Sequence, residues 1–375
     1  MMLDCAATYT LIREQGFRFF TGVPDSLLKD FCAYVSEHAS SDDHVIAANE
    51  GSATALALGH YLGTGEPAVV YMQNSGTGNA VNPLLSLADP EVYSIPMLLV
   101  IGWRGEPGIK DEPQHVKQGR TMTELLNAME VPWFLLPREM AGAGEVISKA
   151  VQKMRECMGP VAILVRKKTF EPYKMAPKVA TKFPMNREEA IQCIVGQLGP
   201  DDLVISTTGK ASRELYEYRL AQHSECSDFL TVGGMGHTGS IAMGLARTRP
   251  ERLVVCLDGD GSVIMHMGAL GVIGNAASPN LLHIVINNGA HDSVGGQPTV
   301  GYDIDIPAIA TACGYREAIS VSEPDELETE LSRLRGESGP ALIEVKVNKG
   351  ARADLGRPKS TPVENRDALM KRIGL

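Results

Sequence analysis

The chain has 375 residues and a net charge of −10. That length supports about two domains, each with its own core, and the acidic balance argues against a nucleic-acid partner while leaving a local basic site open. Seven cysteines without a single CxxC pair argue against zinc ribbons, iron–sulfur clusters and a disulfide framework.

The start, MMLDCAATYT, lacks the basic and apolar regions of a secretory signal, and no later stretch reaches membrane-spanning length. A reducing cytoplasm, with no membrane partner, is the expected setting. Residues 4–15 predict an amphipathic helix, followed by a short strand over 17–21 and the turn Gly22-Val23-Pro24-Asp25. Ser26 is placed to cap the next helix, with Asp30 in its early turns. A strand over 45–48 delivers Asn49-Glu50-Gly51 to its carboxyl end. Next come a helix over 52–61, a strand over 68–72 and a glycine-rich loop, Asn74-Ser75-Gly76-Thr77-Gly78-Asn79. Residues 97–101 form another buried strand, a long polar loop runs from Trp103 to Arg120, and a strand over 161–165 closes the first unit. Residues 171–187, rich in proline and basic side chains without apolar periodicity, are an interdomain linker. Beyond it, a strand over 203–206 leads to Thr207-Thr208-Gly209-Lys210, and Gly233-Gly234-Met235-Gly236 precedes a helix of small residues. The last strand is expected at 341–347, and the tail from Gly350 reads as a partly ordered appendage.

The most informative stretch runs from Val254 to Asn288. An apolar run over 253–257 ends in Gly259-Asp260-Gly261, a helical stretch follows over 262–271, and a second apolar run over 281–286 ends in Asn287-Asn288. Strand–helix–strand units of this kind form right-handed crossovers between parallel strands. Both motifs then lie at the carboxyl ends of strands, where open α/β sheets bind ligands. Asp260 and Asn288 offer hard oxygen ligands suited to Mg²⁺ or Ca²⁺. Gly259 and Gly261 leave room for a diphosphate against the backbone, and Ser262 opens a helix whose N-terminus favours an anion. On spacing alone, an ordinary crossover with a tight turn explains the same residues equally well.

The two halves also repeat. A shift of 185 positions carries Gly51, Ala57, Gly59, Val69, Val70 and Gly76 onto Gly236, Ala242, Gly244, Val254, Val255 and Gly261. The exceptions carry the chemistry: Glu50 falls on Met235, and Ser75 falls on Asp260.

GDG followed at this distance by NN resembles the diphosphate-and-metal signature of thiamine-diphosphate enzymes. Over nearly the whole chain the likeness is to the phosphonopyruvate decarboxylase family, with the sulfopyruvate decarboxylases as near relatives. This resemblance implies an α/β fold of two duplicated cofactor-binding domains, each a mostly parallel sheet flanked by helices. The first (1–170) would bind the pyrimidine, the second (188–350) the diphosphate, and 351–375 would be a tail. It further implies thiamine diphosphate and Mg²⁺ or another divalent cation as cofactors, a small 2-oxo acid as substrate, and a homo-oligomer of at least two chains with sites between chains.

The resemblance also distributes roles. Glu50 would share a proton with the cofactor's aminopyrimidine, although by position alone it could simply serve the helix dipole. Asp260 and Asn288, with the backbone carbonyl of Ala290, would hold the metal. Thr208, Gly209, Gly259, Gly261 and Ser262 would surround the diphosphate. Gly233 would hold the amino group and Met235 the bent cofactor, with core filling as the alternative for the methionine. Asp25 and His115 are candidates for proton transfer, against a helix-capping aspartate and a solvated loop histidine. The glutamate that pyruvate decarboxylases carry soon after the Asn pair is Val294 here, so His291 or Asp292 would have to serve the last protonation. An anionic substituent on the substrate calls for cations, and Arg104, Lys110, Lys117, Arg120 and Lys210 are the candidates. The activity implied is non-oxidative decarboxylation of phosphonopyruvate in phosphonate biosynthesis. Its alternatives are sulfopyruvate decarboxylation, carboligation like that of acetohydroxyacid synthases, or a non-catalytic cofactor-binding regulatory subunit.

Overall fold

The computed structural model describes residues 2–175, 182–222 and 226–375. The chain divides into two compact units, Met1–Pro177 and Lys178–Leu375. In the first unit the elements are α1 (Cys5–Glu14), β1 (Phe20–Gly22), α2 (Lys29–His38), β2 (His44–Ile46), α3 (Glu50–Thr64), β3 (Ala68–Gln73) and α4 (Thr77–Pro83). They continue with β4 (Met97–Gly102), α5 (Pro113–Ala128), β5 (Trp133–Leu135), α6 (Met140–Cys157) and β6 (Pro160–Val165). The second unit begins with α7 (Arg187–Gly196), β7 (Leu203–Ser206), α8 (Lys210–Ala221), β8 (Phe229–Leu230), α9 (Thr238–Thr248) and β9 (Val254–Gly259). After α10 (Asp260–Met265) and α11 (Ala269–Ala276) come β10 (Leu281–Asn287), α12 (Ile306–Ala312), β11 (Glu317–Val321), α13 (Pro324–Arg335), β12 (Ala341–Lys346) and α14 (Pro362–Arg372).

Each unit is built on a six-stranded sheet whose pairings are all parallel, in the orders β2-β1-β3-β4-β6-β5 and β11-β12-β10-β9-β7-β8. Numbered within its own half, each sheet runs second, first, third, fourth, sixth, fifth. The predicted duplication is therefore present in the topology as well as in the residues. Central strands such as β4 (MLLVIG) and β6 (PVAILV) are buried along their whole length, because helices cover both faces of each sheet. Two apolar layers result in each unit: Val69, Leu98 and Ile163 pack on one face of the first sheet, and Val70, Leu99 and Leu164 on the other.

Several sequence expectations are corrected. Ser26 does not cap α2, which begins at Lys29 after Leu28 with no side-chain cap; the Asp25 carboxylate instead braces the turn before it, accepting the N–H groups of Leu27 and Leu28 at 2.9 and 3.2 Å. The segment expected as a glycine-rich loop over 74–79 is a 3₁₀ turn (Asn74–Gly76) running into α4. The long polar loop ends early, since Pro113 starts α5 at the first helical position, where its missing N–H costs nothing. The helix expected over 262–271 is two helices, α10 and α11. The tail is no appendage: α14 has a capping box from Thr361 and Glu364, and its Leu369 is buried in the second unit's core. Of the expected linker, residues 176–181 lie outside the described residues. Its ends belong to the units: the Tyr173 N–H bonds Asp30 at 3.0 Å, and Met185 is in the second core. No helix of the described residues is long and apolar enough to cross a membrane.

Candidate active site

In the first unit the predicted residues gather at the carboxyl edge of the sheet. Asn49, after β2, caps α3 by accepting the Ser52 N–H at 2.9 Å, which places Glu50 in the first helical turn. Glu50 is only 5 % exposed. Its Oε2 accepts a hydrogen bond from Asn79 Nδ2 at 2.8 Å, and a Cβ at Gly76 would lie 1.9 Å from Oε1. The turn after β3 thus requires glycine because a carboxylate occupies the space beside it. Gly76 and Asn79 are partners of Glu50 that its own sequence neighbourhood does not reveal.

Asp25, after β1, has no exposed surface, and a Cβ at Gly102 would lie 2.0 Å from its Oδ2. Burial pushes its pKa up to about 6, against the N–H of Leu27 and the positive charge of Arg104. A carboxyl group that titrates near neutrality can both hold and release a proton. Arg104 donates Nη1 to Ser26 Oγ at 2.7 Å, and its Nε and Nη2 go to the carboxylate of Asp111. Its guanidinium is therefore engaged by Ser26 and Asp111. His115 is buried in the first turn of α5, whereas Lys110, Lys117 and Arg120 are exposed.

In the second unit, β7, β9 and β10 are neighbours, and the turns at their carboxyl ends converge. The register pairs Gly259 with Ile286, so the GDG turn and the Asn pair emerge side by side. Asp260 is 3 % exposed. Burial pushes its pKa up to about 6, opposed by the Thr299 hydroxyl and the backbone N–H groups of Gly261 and Asn288. Asn288 Oδ1 accepts the Ala290 N–H at 3.1 Å, and Asn288 Nδ2 donates to Asp292 Oδ2 at 2.9 Å. Asn287 plays a different part, donating to the Gly301 carbonyl and to Glu344 at 2.6 and 2.7 Å. It fastens β10 to β12 and to the 299–301 loop. Thr299 had no signal in the sequence; only the chain's return past Asp260 brings it there.

The remaining diphosphate-side residues meet around this pair. Gly209 has φ +95°, and a Cβ there would lie 2.6 Å from Ser293 Oγ, so the 207–210 turn abuts the loop after β10. Ser262 Oγ accepts the Gly236 N–H at 3.1 Å, which ties the Gly233–Gly236 loop to α10. A Cβ at Gly261 would lie 3.3 Å from Met235 Cε and 3.1 Å from His291 Cε1. Met235 thus reaches the GDG turn rather than the core clusters. Lys210, half-buried, is pushed below its ordinary pKa by burial, against the pull of Asp292. Asp292 is ion-paired to Arg187 at 2.9 Å.

The donor set fits a divalent cation. Asp260 is a buried carboxylate whose partners are the Thr299 hydroxyl and backbone N–H groups, that of Asn288 among them, and the Asn288 side chain offers an amide oxygen; both groups are hard ligands suited to Mg²⁺. A Cβ at Gly259 would meet nothing nearer than the Ile286 carbonyl oxygen at 3.9 Å, so the backbone there is open to close approach.

Comparison with known proteins identifies the family. Residues 6–129 match the family described as thiamine pyrophosphate enzyme, N-terminal TPP binding domain, and residues 207–345 match its C-terminal TPP binding domain. The chain is 36 % identical to a phosphonopyruvate decarboxylase of Streptomyces viridochromogenes, over 97 % of this chain and 93 % of that one. It is 37 % identical to a phosphonopyruvate decarboxylase of Streptomyces hygroscopicus, over 93 % and 88 % of the two chains. A sulfopyruvate decarboxylase of Methanosarcina acetivorans is 26 % identical over 91 % and 90 %. With two domain signatures in their expected halves and near full-length likeness, the chain belongs to the phosphonopyruvate decarboxylase family of thiamine pyrophosphate enzymes.

Proposed function

We propose that this enzyme catalyses the non-oxidative decarboxylation of 3-phosphonopyruvate to phosphonoacetaldehyde and CO₂, a step of phosphonate biosynthesis. The observation that carries this reading is the near full-length identity to two phosphonopyruvate decarboxylases, which exceeds that to the sulfopyruvate enzyme. When bound, thiamine diphosphate supplies the carbon nucleophile and the electron sink that loss of CO₂ requires. Asp260, Asn288 and the Ala290 carbonyl would hold the divalent cation. The glycines of the GDG turn, with Thr208, Gly209 and Ser262, admit the diphosphate. Glu50, held by Asn79, would hydrogen-bond and share a proton with the cofactor's pyrimidine, and Met235 with the Gly233 carbonyl would support that end of the cofactor. Asp25 handles a proton of the substrate, with His115 as a second candidate, and Lys210 is the cation best placed for the substrate's anionic group. The enzyme works as a homodimer or larger, in the cytoplasm.

The test is CO₂ release from phosphonopyruvate, sulfopyruvate and pyruvate side by side, with and without thiamine diphosphate and Mg²⁺. Phosphonopyruvate is expected to be turned over fastest, and only with both cofactors. Faster release from sulfopyruvate, or a coupled C–C product from two oxo acids, would overturn the assignment. Glu50→Gln is expected to lower kcat by ~10²-fold or more while thiamine diphosphate still binds, since a proton-sharing group contributes on that scale. Retention of full turnover would remove Glu50 from its role.

A further inference from the structure

An asparagine presents two ends of opposite hydrogen-bonding character, and a cation can accept only the oxygen. At Asn288 the oxygen end accepts the Ala290 N–H at 3.1 Å, and the nitrogen end is fixed from one layer outward. Asp292 Oδ2 accepts from Asn288 Nδ2 at 2.9 Å, from Arg187 Nη1 at 2.9 Å and from the Gly350 N–H at 2.8 Å. Arg187 also donates Nε and Nη2 to the two oxygens of Glu214, at 2.7 and 2.8 Å, and Nη2 to the Gly350 carbonyl at 3.2 Å. Arg187 is 7 % exposed and Glu214 is 1 % exposed, so this is a buried charge network. Burying such groups is costly, and stability alone gives weak grounds for keeping them. The sense of the network lies in what it holds.

We propose that Arg187 and Asp292 are positioning residues for the divalent cation: they lock the Asn288 amide with its oxygen, and not its nitrogen, turned to the metal. A carboxylate has only acceptors, so it can meet the Asn288 amide only through Nδ2–H. The Arg187 charge neutralises Asp292 in place and keeps that carboxylate from becoming a ligand itself. Outer partners of this kind orient metal ligands, and their loss weakens metal binding by about 10–100-fold. The inference rests on the reading of Asn288 as a ligand, and it gives Asp292, four residues past the Asn pair, a partner in Arg187, which lies far from any recognisable motif. The pair Arg187–Asp292 spans 105 positions of sequence.

The experiment uses the full chain with saturating thiamine diphosphate and titrates Mn²⁺, counting the free ion by its electron paramagnetic resonance. Asp292→Asn, which can donate as well as accept and so permits the flipped amide, is expected to raise the Mn²⁺ dissociation constant on the order of tenfold. Arg187→Lys, which keeps the charge but loses the fork, should shift it in the same direction. Thermal unfolding of the metal-free protein is measured in parallel. Weakened binding accounted for by a smaller folded fraction would mark a purely structural role and overturn the proposal. Wild-type Mn²⁺ affinity in both variants, with affinity lost in Asn288→Ala, would overturn it while leaving Asn288 a ligand. Wild-type affinity in Asn288→Ala would instead remove the reading on which it rests.

Discussion

Asp25 lies wholly inside the first unit, and that burial sets a pH window. Its folded pKa, about 6, stands above the ordinary 3.8, so folding takes up a proton between those values. The cost of burying the charge is therefore absent below about pH 4, grows as pH rises through 6, and is complete above it. Asp25→Asn should match wild-type stability at pH 4 and exceed it at pH 8 by about 3 kcal/mol, as read by urea unfolding at both pH values. A variant–wild-type difference that stays constant across the window would contradict the buried-acid account. Gly76 offers a second single-residue test. An added methyl would meet Glu50 Oε1 at 1.9 Å and Cδ at 2.3 Å, so the carboxylate must move. Gly76→Ala should keep thiamine diphosphate binding but lose ~10²-fold in kcat, the scale expected from a displacement of about 1 Å; unchanged kcat would show that Glu50's placement is not limiting. At this scale the sequence reveals residues with motif neighbours, such as Asp260 and Asn288. It hides Thr299, Asn79 and Arg187, which reach the site only through chain reversals. For Arg104 the charge was legible, but the two-pronged pairing with Asp111 was not.

Elements follow the same division. Strands β3, β4, β6, β9 and β10 are legible because apolar runs of this length, buried on both faces, have few other folds open to them. Edge strands β5, β8 and β11 escaped, since short segments paired on one side need little apolar content. The helix α14 escaped for a different reason: its polar sequence is held by specific bonds rather than by an apolar stripe. Asn365, 6 % exposed, accepts the Leu230 N–H at 2.9 Å and donates to the Asp228 carbonyl at 2.8 Å, so it seals the outer edge strand β8. Arg372 adds bonds to the carbonyls of Pro200 and Asp202, both at 2.7 Å. Asn365→Ala leaves two buried backbone groups unpaired and should cost about 2–4 kcal/mol, at roughly 1–2 kcal/mol per group. The measurement is denaturant unfolding, with hydrogen exchange at Leu230 as the local readout. A loss below about 0.5 kcal/mol, the range of a surface change, would mean that α14 only decorates the second unit.

For the whole molecule, the repeat joins fold to mechanism. Two sheets with one strand order arose from one pattern, yet Glu50 has no counterpart carboxylate at Met235, and Asp260 has none at Ser75. Each half therefore keeps a group that the other lacks. If one cofactor needs both groups, and a homodimer supplies them from different chains as proposed, two dead variants can repair each other. In a mixed dimer of Glu50→Gln with Asp260→Asn, one site receives both defects and the other receives neither. Random reassociation puts half of the chains into mixed dimers, each with one intact site of two, so activity should return to about a quarter of wild type. Each variant alone should stay near background. The assay is phosphonopyruvate decarboxylation after co-expression or reversible dissociation of the two proteins. Mixed dimers that form, as shown by distinct affinity tags, but recover no activity would place both groups of each site in a single chain.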